Sequence, residues 1–229
     1  MSENENTNYH SLDERWDYLI VSMILGDPFI HEFMLLLSKT IDESVKTMGV
    51  MVKGTVIHLH YSSEFLNKLT DSEARWVLCH EVLHIVFHHC TVRASTDPRL
   101  HDLHNIAADL AINQLIPNTG HVMRPRKEVI NPYFPESLGF PEKLSMEQYF
   151  QLLIQKDEEN KKNQQNQGGQ QGQQDQQGSG QNGDQDQDGD QDQSGGSKDP
   201  IKDAGDLVDN HEGWSEDEIV QIQKQWISN

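Results

Sequence analysis

With 229 residues and a formal charge of -19 at pH 7, the chain has room for one ordinary domain plus extra material, or for two small domains at most. So acidic a balance excludes an electrostatic binder of nucleic acid or of an anionic membrane, because such partners need a lysine- and arginine-rich surface. Hydrophobic residues make up 34%, below the roughly 45–50% of a typical globular chain, and a glutamine-glycine-aspartate tract accounts for much of the deficit.

The first residues, Met1-Ser2-Glu3-Asn4-Glu5-Asn6, are acidic and polar where a signal peptide needs a basic start and an apolar run. No stretch approaches the ~18 apolar residues of a membrane span, so the expectation is a cytoplasmic protein. Cys79 and Cys90 are the two cysteines. On one continuous helix they would lie about 16 Å apart at ~1.5 Å per residue, too far for a disulfide.

Ser11-Leu12-Asp13-Glu14 has the pattern of a capping box and precedes an apolar run from Trp16 to Leu25. Gly26-Asp27-Pro28 breaks that run before a second one, Phe29 to Leu37, so two helices are expected to open the domain. From Val45 to Tyr61 β-branched residues flank Lys53-Gly54, and Ile57, Leu59 and Tyr61 alternate with His58 and His60. This predicts a hairpin whose second strand has one apolar face and, if it forms an edge, could hold an extended peptide.

Thr70-Asp71-Ser72-Glu73 is a second capping-box pattern, launching a strongly apolar helix from Ala74 to about Val92. After the turn Ser95-Thr96-Asp97-Pro98, residues Leu103 to Asn113 follow with helical periodicity, so a second long helix can pack back on the first. Pro117 to Pro141 is rich in turn residues, and a short helix is expected from Ser145 to near Ile154.

Three parts are expected: a domain over 1–155, a disordered Gln/Gly/Asp-rich linker over 156–200, and a C-terminal segment over 201–229. The last contains Trp214, Ile219, Val220, Ile222 and Trp226, enough for one amphipathic helix that docks on the domain or on a protein partner. Within the linker, Asp184, Asp186, Asp188 and Gly189 match the start of a calcium loop, but its twelfth position is Gly195 rather than glutamate, so the run reads as acidic linker.

The chemistry concentrates in His80-Glu81-Val82-Leu83-His84. Histidines four apart on a helix project from one face and can bind one zinc ion, and Glu81 beside them is placed to take a proton from water. A catalytic zinc normally has three protein ligands and an open position. Asp109 is the expected third, because Asn105, Asp109 and Asn113 form a polar stripe opposite Leu103, Ile106 and Leu110.

His88 and His89 are the competing candidates, placed second, as groups behind the ligands or facing the substrate, because on an unbroken helix His88 lies about 6 Å beyond His84 and no glycine offers a turn to bring either ring back. Asn105 and Asn113 are candidates for orienting the ligands by hydrogen bonds. His58, His60, His101, His104 and His121 are further candidates for an oxyanion or substrate contact.

From the hairpin through LTDSEARWVLCHEVLHIVFHHCTVRA to LHNIAADLAINQLI, the sequence resembles the predicted metal-dependent peptidase family of bacteria and phages, in which an HExxH domain usually precedes a von Willebrand factor A-like domain. The resemblance covers roughly Ser11 to Ile154 and includes the histidine and arginine after the motif, here His89 and Arg93. It implies an α+β, zincin-like fold, mostly helical with a small β-hairpin or sheet beside the HExxH helix. It also implies His80 and His84 as zinc ligands, Glu81 as catalytic base and Asp109 as third ligand. The sequence departs from the family's usual pattern by ending at Asn229, so no role of the von Willebrand-like domain is expected of these 229 residues.

The expected function is a zinc metallopeptidase that hydrolyses peptide bonds of a protein or peptide substrate, with Glu81 as general base. The alternative is a non-catalytic zinc-stabilised scaffold or adaptor that recruits partners through the linker and C-terminal helix, with four protein ligands and no open water, His88 and His89 being the candidates for the fourth ligand.

Overall fold

The computed structural model describes residues 9–53, 56–90, 100–168, 200–201 and 204, and within them the fold is mixed α+β with helices predominating. The Ser11 hydroxyl accepts a hydrogen bond from the Glu14 N–H at 3.2 Å and starts α1 (Leu12–Gly26), as its capping pattern predicts. Asp27 accepts from the Ile30 N–H at 3.1 Å and starts α2 (Pro28–Leu35), with Pro28 in the first turn, where its missing N–H costs no helical bond.

The second apolar run does not remain helical to Leu37. Leu37–Ile41 forms a strand, β1, in which Leu37 alone is buried, so no alternation announces it. Met48–Lys53 (β2) and Val56–Tyr61 (β3) make the expected antiparallel hairpin, with Met48 opposite Tyr61 and Lys53 opposite Val56. β1 pairs with the other side of β3 in parallel, giving the order β1-β3-β2. β3 is therefore the central strand, and the idea that it offers an edge to a peptide is corrected, since strands lie along both of its sides. Its apolar face behaves as expected, with Leu59 and Tyr61 buried and Tyr61 edge-on to Trp16.

A short helix, α3 (Ser63–Lys68), leads into α4 (Asp71–Val86). The capping box of α4 is complete: Thr70 Oγ1 accepts from the Glu73 N–H at 3.3 Å, and Glu73 Oε2 accepts from the Thr70 N–H at 2.8 Å. Glu73 Oε1 also accepts from the Arg126 main-chain N–H at 2.9 Å and from its Nε at 2.8 Å, which ties the proline-rich region to the start of the helix. From the other side Arg15 of α1 donates to Asp71 Oδ1 and to the carbonyls of Leu66 and Leu69. The helix so fixed runs through the main core beside Trp16, Leu19, Met48 and Val50.

α4 ends at Val86, short of the expected Val92. His88 takes a left-handed φ of 60° without being glycine, at a cost of roughly 1–2 kcal/mol for a residue with a Cβ. The turn is closed by main-chain bonds from Phe87 to Leu83, from His88 to Ile85 and from His89 to His84, at 2.9, 3.0 and 2.9 Å.

α5 (His101–Ile112) continues into a 3-10 turn, Asn113–Leu115. After α6 (Pro135–Leu138), which Gly139 ends at φ 71°, comes α7 (Met146–Gly168). α7 runs well beyond the expected end near Ile154, because its glutamate, lysine and glutamine residues are good helix formers. Ile106, Ala107 and Leu110 of α5 join Tyr149 and Leu153 of α7 in a second core, which Ile201 also enters.

Cys79 and Cys90 are free and buried. Among the described residues no helix is long and apolar enough to cross a membrane. Arg93, the acidic run 184–195 and the apolar residues from Trp214 to Trp226 lie outside the described residues.

Burial alone would raise the Glu73 carboxyl, but the hydrogen bonds from Thr70 and Arg126 hold it below its ordinary value of 4.5. A lowered folded-state pKa contributes stability above the unfolded value that is lost as pH falls through the folded one. Glu73→Ala should lower unfolding free energy by about 1–3 kcal/mol at neutral pH, read from urea midpoints. The difference from wild type should shrink as pH falls below 4.5 and through the lowered folded-state value.

Candidate metal centre

His80 and His84 stand one turn apart on α4, 0% and 1% exposed, with their Nε2 atoms 2.9 Å apart. Asp109, 0% exposed, comes from α5, and its Oδ1 lies 3.6 Å from His80 Nε2 and 3.3 Å from His84 Nε2. Among the described residues these three form a group whose donor atoms are close enough to share one ion.

The two edges to Asp109 suit an ion better than direct bonding. A charge-assisted imidazole–carboxylate hydrogen bond prefers about 2.7–2.9 Å. An ion held tetrahedrally by bonds of about 2.0–2.1 Å sets its donor atoms about 3.3 Å apart. Two imidazoles and a carboxylate are also a donor set that divalent transition ions accept. Cys79 lies next to His80 in sequence, where burial pushes its thiol up to about 12, and its sulfur is not among the gathered donor atoms.

The nitrogens away from the donor triangle are engaged as well. His80 Nδ1 lies 2.7 Å from Asn113 Oδ1, and Asn113 Nδ2 donates to the Tyr133 carbonyl at 2.9 Å. The carbonyl accepts only, so it fixes which end of the amide faces His80. Asn113 Oδ1 must then accept, which places the His80 proton on Nδ1 and leaves the Nε2 lone pair for the ion. Trp76 stacks on His80 with ring centroids 5.8 Å apart. His84 Nδ1 meets His89 Nδ1 at 3.3 Å. Glu81 is 0% exposed in the same turn of α4.

Of the residues expected from the sequence, the structure gathers His80, His84 and Asp109, with Asn113 behind His80. Asn105 instead contacts His101 Nδ1, at 3.3 Å. His88 is exposed, whereas His89 is 7% exposed and swings back to His84, so the expectation that no ring returns without a glycine is corrected. The remaining histidines serve elsewhere. His60 faces Asp42 at 3.3 Å, His58 lies beside His60, His104 is edge-on to Phe150, and the His121 ring crowds Gly26.

Trp76 was missed, although its place four residues before His80 puts Trp76, His80 and His84 on one helix face. A cleft of about 560 Å³ lies against His89, lined also by Phe87, Ile112, Leu115, Phe134 and Met146.

An α+β domain with a buried His-His-Asp group able to hold a metal defines the class. The chain belongs to the family described as "Putative metallopeptidase domain", whose model matches residues 13–227. No curated protein and no solved structure matches the chain.

Asn113→Ala removes the acceptor that sets the His80 tautomer. Affinity for a divalent metal ion, measured by competition with a chromophoric chelator, should fall about 10–100-fold. An unchanged affinity would show that the amide does not orient the ring.

Proposed function

We propose that this chain is a zinc-dependent peptidase in which His80, His84 and Asp109 hold the ion and Glu81 is the general base. The observation that carries the reading is the buried triangle of Nε2, Nε2 and Oδ1, with edges of 2.9, 3.3 and 3.6 Å. Membership of a metallopeptidase family implies a protein or peptide as substrate.

A bound zinc ion supplies Lewis acidity, lowering the pKa of water from about 15.7 to about 7 and polarising a carbonyl. The chain's own residues do the rest. Asn113 holds the His80 proton on Nδ1, so that Nε2 keeps its lone pair. Glu81 takes a proton from the attacking water while the water oxygen bonds to the scissile carbonyl carbon. As the C–N bond breaks, Glu81 delivers that proton to the leaving amine.

The motif helix packed on a small sheet is consistent with a zincin-like fold. We assign this domain to residues 1–155, a linker to 156–200 and a C-terminal segment to 201–229. The scaffold alternative needs a fourth protein ligand. Its candidates do not supply one, because His88 is exposed and His89 meets His84 on the Nδ1 side, away from the donor triangle.

Glu81→Gln should keep about one zinc per chain, by mass spectrometry, and lose about 10²–10⁴-fold in cleavage of a quenched-fluorescent peptide library. Asp109→Ala should lose most of the metal. Full activity in Glu81→Gln, or no zinc in reconstituted wild type, would overturn the assignment.

A further inference from the structure

The two imidazoles of the centre are backed differently. Behind His80 stands an amide, Asn113; behind His84 stands another histidine, His89, whose Nδ1 lies 3.3 Å from His84 Nδ1. We propose that His89 is a positioning residue for the metal centre, accepting the Nδ1 proton of His84 and so fixing the ring and tautomer that present Nε2 to the ion. The inference rests on the zinc reading above, and it adds a residue outside the ligand set and outside the HExxH motif.

Three observations support it. First, the backbone is bent to make the contact: α4 stops two residues after His84, His88 adopts φ 60°, and the His89 N–H bonds back to the His84 carbonyl at 2.9 Å. A left-handed non-glycine residue persists where its surroundings over-determine it, and such strain gathers at functional sites.

Second, the contact is buried and its geometry is held. His89 is 7% exposed, its ring lies edge-on to His84 with centroids 5.1 Å apart, and Phe87 stacks on it at 5.9 Å.

Third, proton bookkeeping allows a single direction. With the His84 Nε2 lone pair turned to the ion, the neutral ring carries its proton on Nδ1, so the Nδ1 facing it on His89 must be the lone-pair nitrogen. His89 then carries its own proton on Nε2. A metal-bound histidine commonly donates its second N–H to a fixed acceptor, and loss of such an acceptor typically weakens metal binding about 10–100-fold.

The test compares His89→Leu, which fills the space without an acceptor, with His89→Asn, whose Oδ1 falls near the position of the lost Nδ1. Zinc affinity is measured by chelator competition on the full-length protein, and the visible spectrum of the cobalt-substituted form reports ligand geometry independently of turnover. The expected result is a loss of about 10–100-fold in His89→Leu with an altered cobalt spectrum, and recovery of most of the affinity and of the wild-type spectrum in His89→Asn. Equal losses in both variants would reduce His89 to packing, and wild-type affinity in His89→Leu would show that it does not position His84; either result overturns the proposal. Wild type that binds neither zinc nor cobalt would remove the zinc reading itself, and this inference with it.

Discussion

The contact of α4 with α5 is the constraint on which the rest depends, because it puts the Asp109 carboxylate against two imidazoles where none of the three is more than 1% exposed. Polar groups in such a place are stable only if their charge and hydrogen-bonding capacity are met. The surroundings are arranged to that end. Asn113, one turn after Asp109, backs His80, and His89, beyond the end of α4, backs His84. Each ring is thus held on its Nδ1 side while its Nε2 faces the shared carboxylate.

Such precision needs a helix that does not rotate or slide. Two guanidinium groups hold the start of α4: Arg15 bonds Asp71 and the carbonyls that precede the helix, and Arg126 bonds Glu73. α5 is held on both faces, Asp109 toward the centre and Ile106, Ala107 and Leu110 toward α7. The two cores therefore meet at the donor triangle, and stability and site geometry share the same contacts.

Much of this was legible in the sequence where the information is local. The four-residue spacing of His80 and His84, the Thr70–Glu73 capping box and the stripe of Asn105, Asp109 and Asn113 are patterns of helical geometry; the structure realises the first two and brings Asp109 and Asn113 to the histidines, while Asn105 turns to His101. What escaped depends on non-local pairing or on exceptions to residue preference. β1 buries one side chain, so its role in making β3 a central strand is set by a distant partner. The left-handed turn at His88 breaks the usual preference for glycine and ends α4 early, and for that reason His89 looked out of reach. The polar tail of α7 has the composition of a linker but the helix propensity of its glutamates, lysines and glutamines.

In the proposed peptidase one zinc ion is shared by two imidazole nitrogens and one carboxylate oxygen. X-ray absorption at the zinc edge of the reconstituted full-length protein tests it most directly. Nitrogen and oxygen neighbours alone are expected at about 2.0–2.2 Å, two of them imidazoles identified by their multiple scattering. A sulfur neighbour at about 2.3 Å, or more than two imidazoles, would contradict it.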